Sequence, residues 1–182
     1  FRVEEAKKNC DLIFLALPHG LAMTIAPALL KKPGLQVIDV AGDFRLKSAS
    51  AFSKAYKMKH AAPRLLKEAV YGLTEFSREK LKTARLVANP GCYPTATLLG
   101  LAPLAQAKWI ALKGVSIDAK SGITGAGRGQ VKQLKLSKEQ EALYAYRVDQ
   151  HQHTPEMEQS LKQLSKQGIQ LTFIPHLVPM DR

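Results

Sequence analysis

Short hydrophobic runs alternate with amphipathic stretches through the first half of the chain. The run CDLIFLALP (10–18) is continuously apolar, so we expect a parallel strand that is buried on both faces. LQVIDVAGDF (35–44) predicts a second buried strand, and RLVANPG (85–91) predicts a third. Helical patterns at 2–9 and 19–34 flank the first strand. This rhythm predicts a right-handed, doubly wound α/β unit, in which active residues gather beyond the carboxyl ends of the strands.

The pattern changes near residue 90. Before it, residues 46–85 predict short helices or loops. After it, strands become longer and glycine-rich loops separate them, which favours a second, α+β domain. Thr154 is placed to cap the last helix and Gly168 to end it. The predicted elements here are a helix at 93–109, a strand at 113–122, a glycine-rich loop at 123–130, a helical or partly ordered segment at 137–148, a helix at 154–167 and a strand at 169–179.

Composition narrows the class of protein. The 182 residues are 46% hydrophobic and 23% charged, and no apolar run approaches the roughly 18 residues of a membrane span. The net charge of +12 comes from lysines spread along helices without interleaved aromatics, which disfavours nucleic acid and fits a solvated surface that attracts small anions. Two cysteines and no secretion signal indicate a reduced, cytoplasmic protein. The chain lacks an initiator Met and stops abruptly, so we expect a fragment.

Cys92 lies in VANPGCYPTA, where the third strand meets the long helix. A helix N-terminus favours a thiolate, and the amides of residues 92–95 can stabilise an oxyanion. The sequence around it therefore leaves two interpretations open: a nucleophile, or a small buried residue at a corner. By contrast, Cys10 at the start of a strand is expected to be a packed thiol.

HQHTPE (151–156) offers a base for such a thiol. Its alternating spacing places His151 and His153 on one side of an extended segment, where Glu156 can orient one of them. A zinc site is the weaker interpretation, because no further ligand cluster accompanies the two histidines.

SGITGAGRG (121–129) combines loop glycines with Arg128, and exposed amides beside a guanidinium suit a phosphate or carboxylate. A plain flexible loop is the alternative. Two loops follow the first two strands: LPHG (17–20), against which a cofactor can lie, and GDFR (42–45), where Asp43 and Arg45 suggest a salt bridge that fixes the loop.

The chain resembles the N-acetyl-γ-glutamyl-phosphate reductases, NADP-dependent enzymes of arginine biosynthesis. The resemblance covers essentially all 182 residues. It rests on motifs that occur in the family's order: FLALPHG, VIDVAGDFRL, AVYGLTEFSRE, LVANPGCYPTA, AKSGITGAGR, HQHTPEMEQ and PHLVPM.

The resemblance implies a partial Rossmann-type NADP-binding domain over 1–91. It also implies part of an α+β catalytic and dimerisation domain over 92–182, similar to glyceraldehyde-3-phosphate dehydrogenase, and a homo-oligomer. The implied roles are catalysis by Cys92 and His151, with possible support from His153 and Glu156; substrate or phosphate binding by Ser121, Gly122 and Arg128; cofactor contacts at Pro18, His19, Gly20 and Gly125; and no metal.

Two departures from the family pattern matter. The glycine-rich G-x-x-G-x-x-G turn that holds the cofactor pyrophosphate is not among these residues, and the family continues past PHLVPMDR. The alternatives are therefore an acyl-phosphate reductase like the aspartate-semialdehyde dehydrogenases, and a catalytically incompetent fragment. A nucleic-acid binder is the third, least favoured alternative.

Overall fold

The computed structural model describes residues 2–126 and 143–180. Residue contacts divide the chain into two compact units, Phe1–Ala96 and Thr97–Arg182. The division falls inside the longest helix, Cys92–Gln106, whose first residues belong to the first unit. Each unit has a sheet of its own.

Strands and helices alternate in the first unit. Its elements are α1 (Val3–Asn9), β1 (Leu12–Leu15), α2 (Ala22–Leu29), β2 (Gln36–Asp39), α3 (Ala49–Tyr56), α4 (Leu65–Glu68), β3 (Val70–Tyr71), α5 (Thr74–Leu81), β4 (Leu86–Ala88) and the start of α6 (Cys92–Gln106). The four strands form one parallel sheet in the order β1-β2-β4-β3. The predicted parallel α/β sheet is confirmed. The strand β3 lies within the region expected to hold only short helices or loops, and its two residues are too few to give a strand pattern.

Strand β1 is buried on one face only. Ile13 and Leu15 belong to the hydrophobic core, whereas Leu12 and Phe14 are 44% and 61% exposed. The expectation of burial on both faces is therefore wrong. Among the described residues the core of the first unit lies on the Ile13 side of the sheet, so Leu12 and Phe14 face away from it. A continuous apolar run does not reveal which of its faces is covered.

Local signals explain how the helix α3 is bounded. The Ser48 hydroxyl accepts a hydrogen bond from the amide of Ala51 at its start, as an N-cap does. Lys57 follows its end in the left-handed conformation. Phe52 is fully buried in the core and so fixes the helix against it, and its ring stacks on that of Tyr56 one turn further along the same helix.

The second unit has a mixed sheet. It contains the rest of α6, β5 (Lys113–Gly122), a 3₁₀ turn (Ile123–Ala126), β6 (Tyr144–Ala145), α7 (His153–Ser165) and β7 (Gln170–Val178). The strand β7 lies in the middle, parallel to β5 and antiparallel to β6. Long strands with a mixed sheet fit the predicted α+β character.

Three local expectations for this unit are wrong. Residues 144–145 form a strand rather than part of a helix, because they pair with Leu177 and His176 of β7. The helix α7 begins at His153, so Thr154 lies inside it and is not its cap. The helix ends at Ser165, and Lys166 after it, with a φ of 58°, is the left-handed residue expected at Gly168. None of the helices in residues 2–126 and 143–180 has the length and hydrophobicity that crossing a bilayer requires.

The one-sided burial of β1 predicts different responses at neighbouring leucines. Leu15→Ala is expected to lower the free energy of unfolding by about 2–5 kcal/mol, because Leu15 is only 2% exposed in the core. The matched variant Leu12→Ala, on the exposed face, is expected to change it by less than about 1 kcal/mol. Urea denaturation monitored by circular dichroism measures both. Equal losses would show that both faces of β1 are covered.

Candidate active site

The carboxyl edge of the parallel sheet brings three loops of the first unit together. Leu15, Asp39 and Ala88 are in register at the ends of β1, β2 and β4. The Val40 amide donates to the Leu15 carbonyl at 3.1 Å, and the Asn89 amide donates to the Asp39 carbonyl at 2.9 Å. The loops after these strands therefore start side by side.

Asp43 connects the second loop to the first. Its side chain is fully buried, and its two carboxylate oxygens accept hydrogen bonds from the amides of Gly20, at 2.8 Å, and Met23, at 2.9 Å. Met23 lies in the first turn of α2, where amides have no partner within the helix. Asp43 therefore caps α2 from a distant part of the chain.

Arg45 connects the second loop to the third. Its Nε donates to the Asn89 carbonyl at 2.7 Å, and its Nη2 donates to the Val40 carbonyl at 2.9 Å. Asn89 lies three residues before Cys92. The GDFR loop is thus fixed by bonds that its charged side chains make to backbone groups on either side.

Asp39 shapes the second loop from within. Its carboxylate accepts hydrogen bonds from the amides of Ala41, at 3.0 Å, and Phe44, at 3.3 Å. Burial, reinforced by the nearby Asp43 charge, raises the pKa of Asp39 to about 6. The carboxyl edge therefore contains two buried acidic groups and one buried guanidinium.

The expected cofactor contacts of the first unit lie in the loop after β1. Pro18 and His19 are exposed, and the His19 ring meets the edge of the Tyr56 ring at 5.0 Å. Gly20 has a φ of 92°, a conformation that residues with side chains rarely adopt. Pro18 and His19 are thus accessible at the sheet edge, whereas Gly20 is half-buried and bonded to Asp43.

Cys92 is exposed and is the first residue of α6. The interpretation as a buried corner residue is therefore wrong. Behind it, the Thr95 amide and hydroxyl both donate to the Gly91 carbonyl, at 2.9 and 2.8 Å. The Thr95 amide is thus already used inside the helix and Pro94 has no N–H, so two of the four expected positions at 92–95 cannot donate to an oxyanion.

His151 is buried in the second unit among aromatic rings. Its ring centre lies 5.5 Å from that of Tyr146, 4.7 Å from that of His153 and 5.3 Å from that of Phe173. Its Nδ1 accepts a hydrogen bond from the His153 amide at 3.1 Å, so the proton of the neutral imidazole is on Nε2. Burial, with a smaller contribution from the Arg147 charge, lowers the pKa of His151 to about 4. A neutral ring with its proton on Nε2 can donate a hydrogen bond from that atom.

The two histidines lie together, although not on an extended segment. Gln152 between them has helical backbone angles, and α7 starts at His153, so a turn brings the rings into contact. Glu156 follows in the first turn of α7 and is fully buried, and His153 is 8% exposed. The three residues therefore share one buried corner of the unit.

The expected anion-binding loop is partly described. Ser121 and Gly122 end β5, and Gly125 lies in the 3₁₀ turn that follows. A side chain at Gly125 would meet the Ser121 hydroxyl closer than van der Waals contact allows. Arg128 lies outside the described residues.

The remaining polar candidates have other surroundings. The His60 ring is buried against Phe44 and Phe52, its Nε2 bonds to the Asp43 carbonyl at 2.9 Å, and burial lowers its pKa. Cys10 is half-buried. Within 2–126 and 143–180, no group of three or more His, Cys, Asp or Glu side chains could hold a metal ion.

Sequence reasoning missed the rings around His151 and the role of Asp39. Phe173 lies in β7, and the Tyr146 amide donates to the Pro175 carbonyl of that strand, a pairing that is not visible locally. For Asp39 the sequence does contain a signal. It lies two residues after Val37, so the alternation of a strand places both side chains on the same face, and both are fully buried. A carboxylate in such a position needs hydrogen-bond donors.

Two family models match the two halves of the chain. Residues 2–84 match the semialdehyde dehydrogenase NAD binding domain, and residues 92–182 match the semialdehyde dehydrogenase dimerisation domain. The chain belongs to the semialdehyde dehydrogenase family. This confirms the expected class, an oxidoreductase fold with a nicotinamide cofactor domain.

Curated relatives confirm the resemblance drawn from the motifs. The chain is 49% identical over 179 residues to an N-acetyl-gamma-glutamyl-phosphate reductase of Symbiobacterium thermophilum, covering 98% of this chain and 51% of that protein. A second, from Janthinobacterium sp., is 49% identical over 180 residues, covering 98% of this chain and 52% of the relative. The chain spans about half the length of the curated relatives it matches.

Solved structures show the same fold. An aspartate semialdehyde dehydrogenase II of Vibrio cholerae has a TM-score of 0.63 at 16% identity, covering 96% of this chain and 53% of that one. The aspartate semialdehyde dehydrogenase of Francisella tularensis has a TM-score of 0.64 at 14% identity, covering 100% and 58%. The expected likeness to this fold class is confirmed.

The lowered pKa of His151 predicts a neutral ring down to about pH 4. Between that value and the unfolded value near 6.5 the unfolded chain binds more protons, so this group's contribution to stability is lost as the pH falls through that window. Arg147→Gln is expected to raise the pKa only in part, since burial is the larger cause. Nitrogen NMR of the imidazole against pH measures both. A wild-type midpoint near 6.5 would contradict the burial argument.

Proposed function

We propose that the protein reduces N-acetyl-γ-glutamyl phosphate to N-acetylglutamate 5-semialdehyde with NADPH, releasing phosphate, as a cytoplasmic step of arginine biosynthesis. The observation that carries the chemistry is the exposed Cys92 at the start of α6, beside the carboxyl edge of the parallel sheet. The substrate follows from the names of relatives that are 49% identical. The dimerisation domain supports a homo-oligomer as the working form.

The chain's residues fit the nicotinamide end of the cofactor. The loop after β1 exposes Pro18 and His19, and the glycine at position 20 permits the φ of 92° at which this loop turns. These three residues and Gly125 would hold the cofactor there. The pyrophosphate turn is not among the 182 residues, so they account for one end of the cofactor only.

Catalysis starts with acyl transfer to Cys92. The thiolate attacks the carbonyl carbon of the acyl phosphate, a C–S bond forms, the C–O bond to phosphate breaks, and a thioester results. Ser121, Gly122 and Arg128 receive the charge of the departing phosphate. The net positive charge of the chain attracts both anionic reactants.

The reduced nicotinamide, when bound, supplies a hydride to the thioester carbon. His151 then acts on the oxygen atom of the resulting thiohemiacetal: its Nε2–H donates a hydrogen bond that stabilises the oxyanion until the C–S bond breaks and the aldehyde leaves. Hydrogen-bond donation from Nε2 is supported by the His151 Nδ1, which accepts the hydrogen bond of the His153 amide. Glu156 and His153 hold the ring in its buried corner, and the Cys92 thiolate is regenerated.

A second candidate substrate is aspartyl phosphate, since the fold is shared with aspartate semialdehyde dehydrogenases. The acyl phosphates differ in length and in the acetamide group. Supplying both to one preparation, with NADPH and then NADH, decides the substrate and the cofactor by their kcat/KM values.

Replacement of Cys92 tests the covalent route. The reaction can be assayed in reverse, as the phosphate-dependent reduction of NADP by the semialdehyde. In the full-length protein, Cys92→Ser is expected to lower this rate by about a thousandfold or more, because the loss of a catalytic nucleophile usually costs at least that much. The matched control Cys10→Ser, at the half-buried second thiol, is expected to keep activity. With the acyl phosphate alone, mass spectrometry should find the acyl group on Cys92. If Cys92→Ser kept its activity within a few-fold of wild type, its activation free energy would have risen by about 1 kcal/mol at most, and the thioester route would be excluded.

The two histidines are separated by a matched pair of variants. His151→Asn is expected to lower kcat by roughly 10²–10³-fold, the usual range for the loss of one donor to an oxyanion. His153→Asn keeps the backbone amide that donates to the His151 Nδ1, so a smaller loss is expected. Rapid-quench measurement of deacylation gives the step affected. A silent His151→Asn beside an inactive His153→Asn would reverse the assignment.

A further inference from the structure

The segment Asp39–Arg45, here called the clamp segment, contacts the loops on both sides of it. One of these loops is 18–23, which leads into α2, and the other is 89–92, which leads into Cys92. Under the proposed function, the first loop meets the nicotinamide and the second carries the nucleophile. All of these residues belong to the first unit.

The contact to loop 18–23 depends on a carboxylate with two acceptor oxygens. Asp43 uses one oxygen for the Gly20 amide and the other for the Met23 amide. Bonds from amides to a buried carboxylate are stronger than bonds between neutral groups. An amide side chain has a single acceptor oxygen, so asparagine cannot make both bonds.

The contact to loop 89–92 depends on the fork of a guanidinium. Arg45 is 5% exposed and donates from Nε to Asn89 and from Nη2 to Val40. The rigid guanidinium of Arg45 thus bonds both to loop 89–92 and to the clamp segment itself. Lysine keeps the positive charge but has no planar fork, so it cannot reproduce this pair of bonds.

The clamp segment is itself held in shape. Asp39 accepts bonds from the amides of Ala41 and Phe44 inside the segment, and the buried His60 ring bonds to the Asp43 carbonyl. A side chain at Gly42 would collide with the Tyr56 ring, which also contacts His19. The segment therefore acts as a rigid part between two loops.

From these contacts we propose that Asp43 and Arg45 are positioning residues: Asp43 fixes loop 18–23 for the nicotinamide, and Arg45 fixes the backbone that carries Cys92. The inference rests on the proposed function for what the two loops bind. The hydrogen-bond geometry that sets their positions is independent of it.

Two substitutions separate the two arms. Asp43→Asn is expected to speed hydrogen exchange at the Gly20 and Met23 amides by about tenfold or more, with the Asn89 amide unchanged. Arg45→Lys removes the bond to the Asn89 carbonyl and is expected to loosen the backbone there, which speeds exchange of the Asn89 amide, itself bonded to the Asp39 carbonyl, to a similar degree and leaves Gly20 and Met23 unchanged. The controls are Asp11→Asn and Arg78→Lys, the same chemical changes at exposed positions. Uniform acceleration everywhere, or none relative to the controls, would overturn the proposal.

The functional readouts in the full-length protein divide the same way. Asp43→Asn is expected to raise the Kd for NADPH about tenfold while acylation of Cys92 by the acyl phosphate keeps its rate. Arg45→Lys is expected to slow acylation about tenfold while the Kd is kept. Equal effects of both variants on both readouts would show a general structural role and would overturn the positioning roles.

A failure of the proposed function can be distinguished from a failure of the positioning roles of Asp43 and Arg45. If wild-type protein neither binds NADPH nor is acylated, the proposed function fails while the exchange pattern still decides whether the clamp segment fixes both loops. If Asp43→Asn does not fold, Arg45→Lys, which keeps the charge, decides the proposal through Asn89 exchange and acylation.

Discussion

The buried carboxylate of Asp43 is the interaction on which the carboxyl edge of the parallel sheet depends. It replaces the missing cap of α2 and fixes the turn at Gly20, two tasks that local sequence leaves undone. A buried charge is costly unless donors surround it, so the backbone must present those amides. The two bonds join residues 23 and 20 positions apart in the sequence. One side chain therefore determines how the loops after β1 and β2 meet.

The second unit meets a related constraint differently. There the group that needs control is an imidazole, and its surroundings are rings and a neighbouring amide. Burial keeps the ring uncharged, and a turn at Gln152 selects which nitrogen has the proton. The first unit therefore orders backbone with charges, whereas the second controls the proton of one side chain by excluding water.

The sequence predicts the parallel sheet, the helix after Cys92 and the proximity of two histidines, since each depends on local apolar runs, on turn residues or on short spacing. It does not predict which face of β1 is covered, because that depends on neighbours distant in sequence. The helix α7 begins one residue before its expected cap, since the His151 ring accepts the amide of His153. The sequence predicts only that Asp43 and Arg45 fix their loop. It does not reveal their hydrogen-bond partners, because these are backbone groups, which every residue has.

The close approach of Gly42 to Tyr56 has a consequence for how this sequence can vary. The tyrosine ring fills the space that any side chain at position 42 would need, so a larger residue there is accessible only after position 56 has become smaller. Shrinking position 56 first removes a ring that stacks on Phe52 and contacts His19. Each order of change passes through a poorly packed intermediate, so the two positions form a coupled pair in which drift at one is restrained by the other.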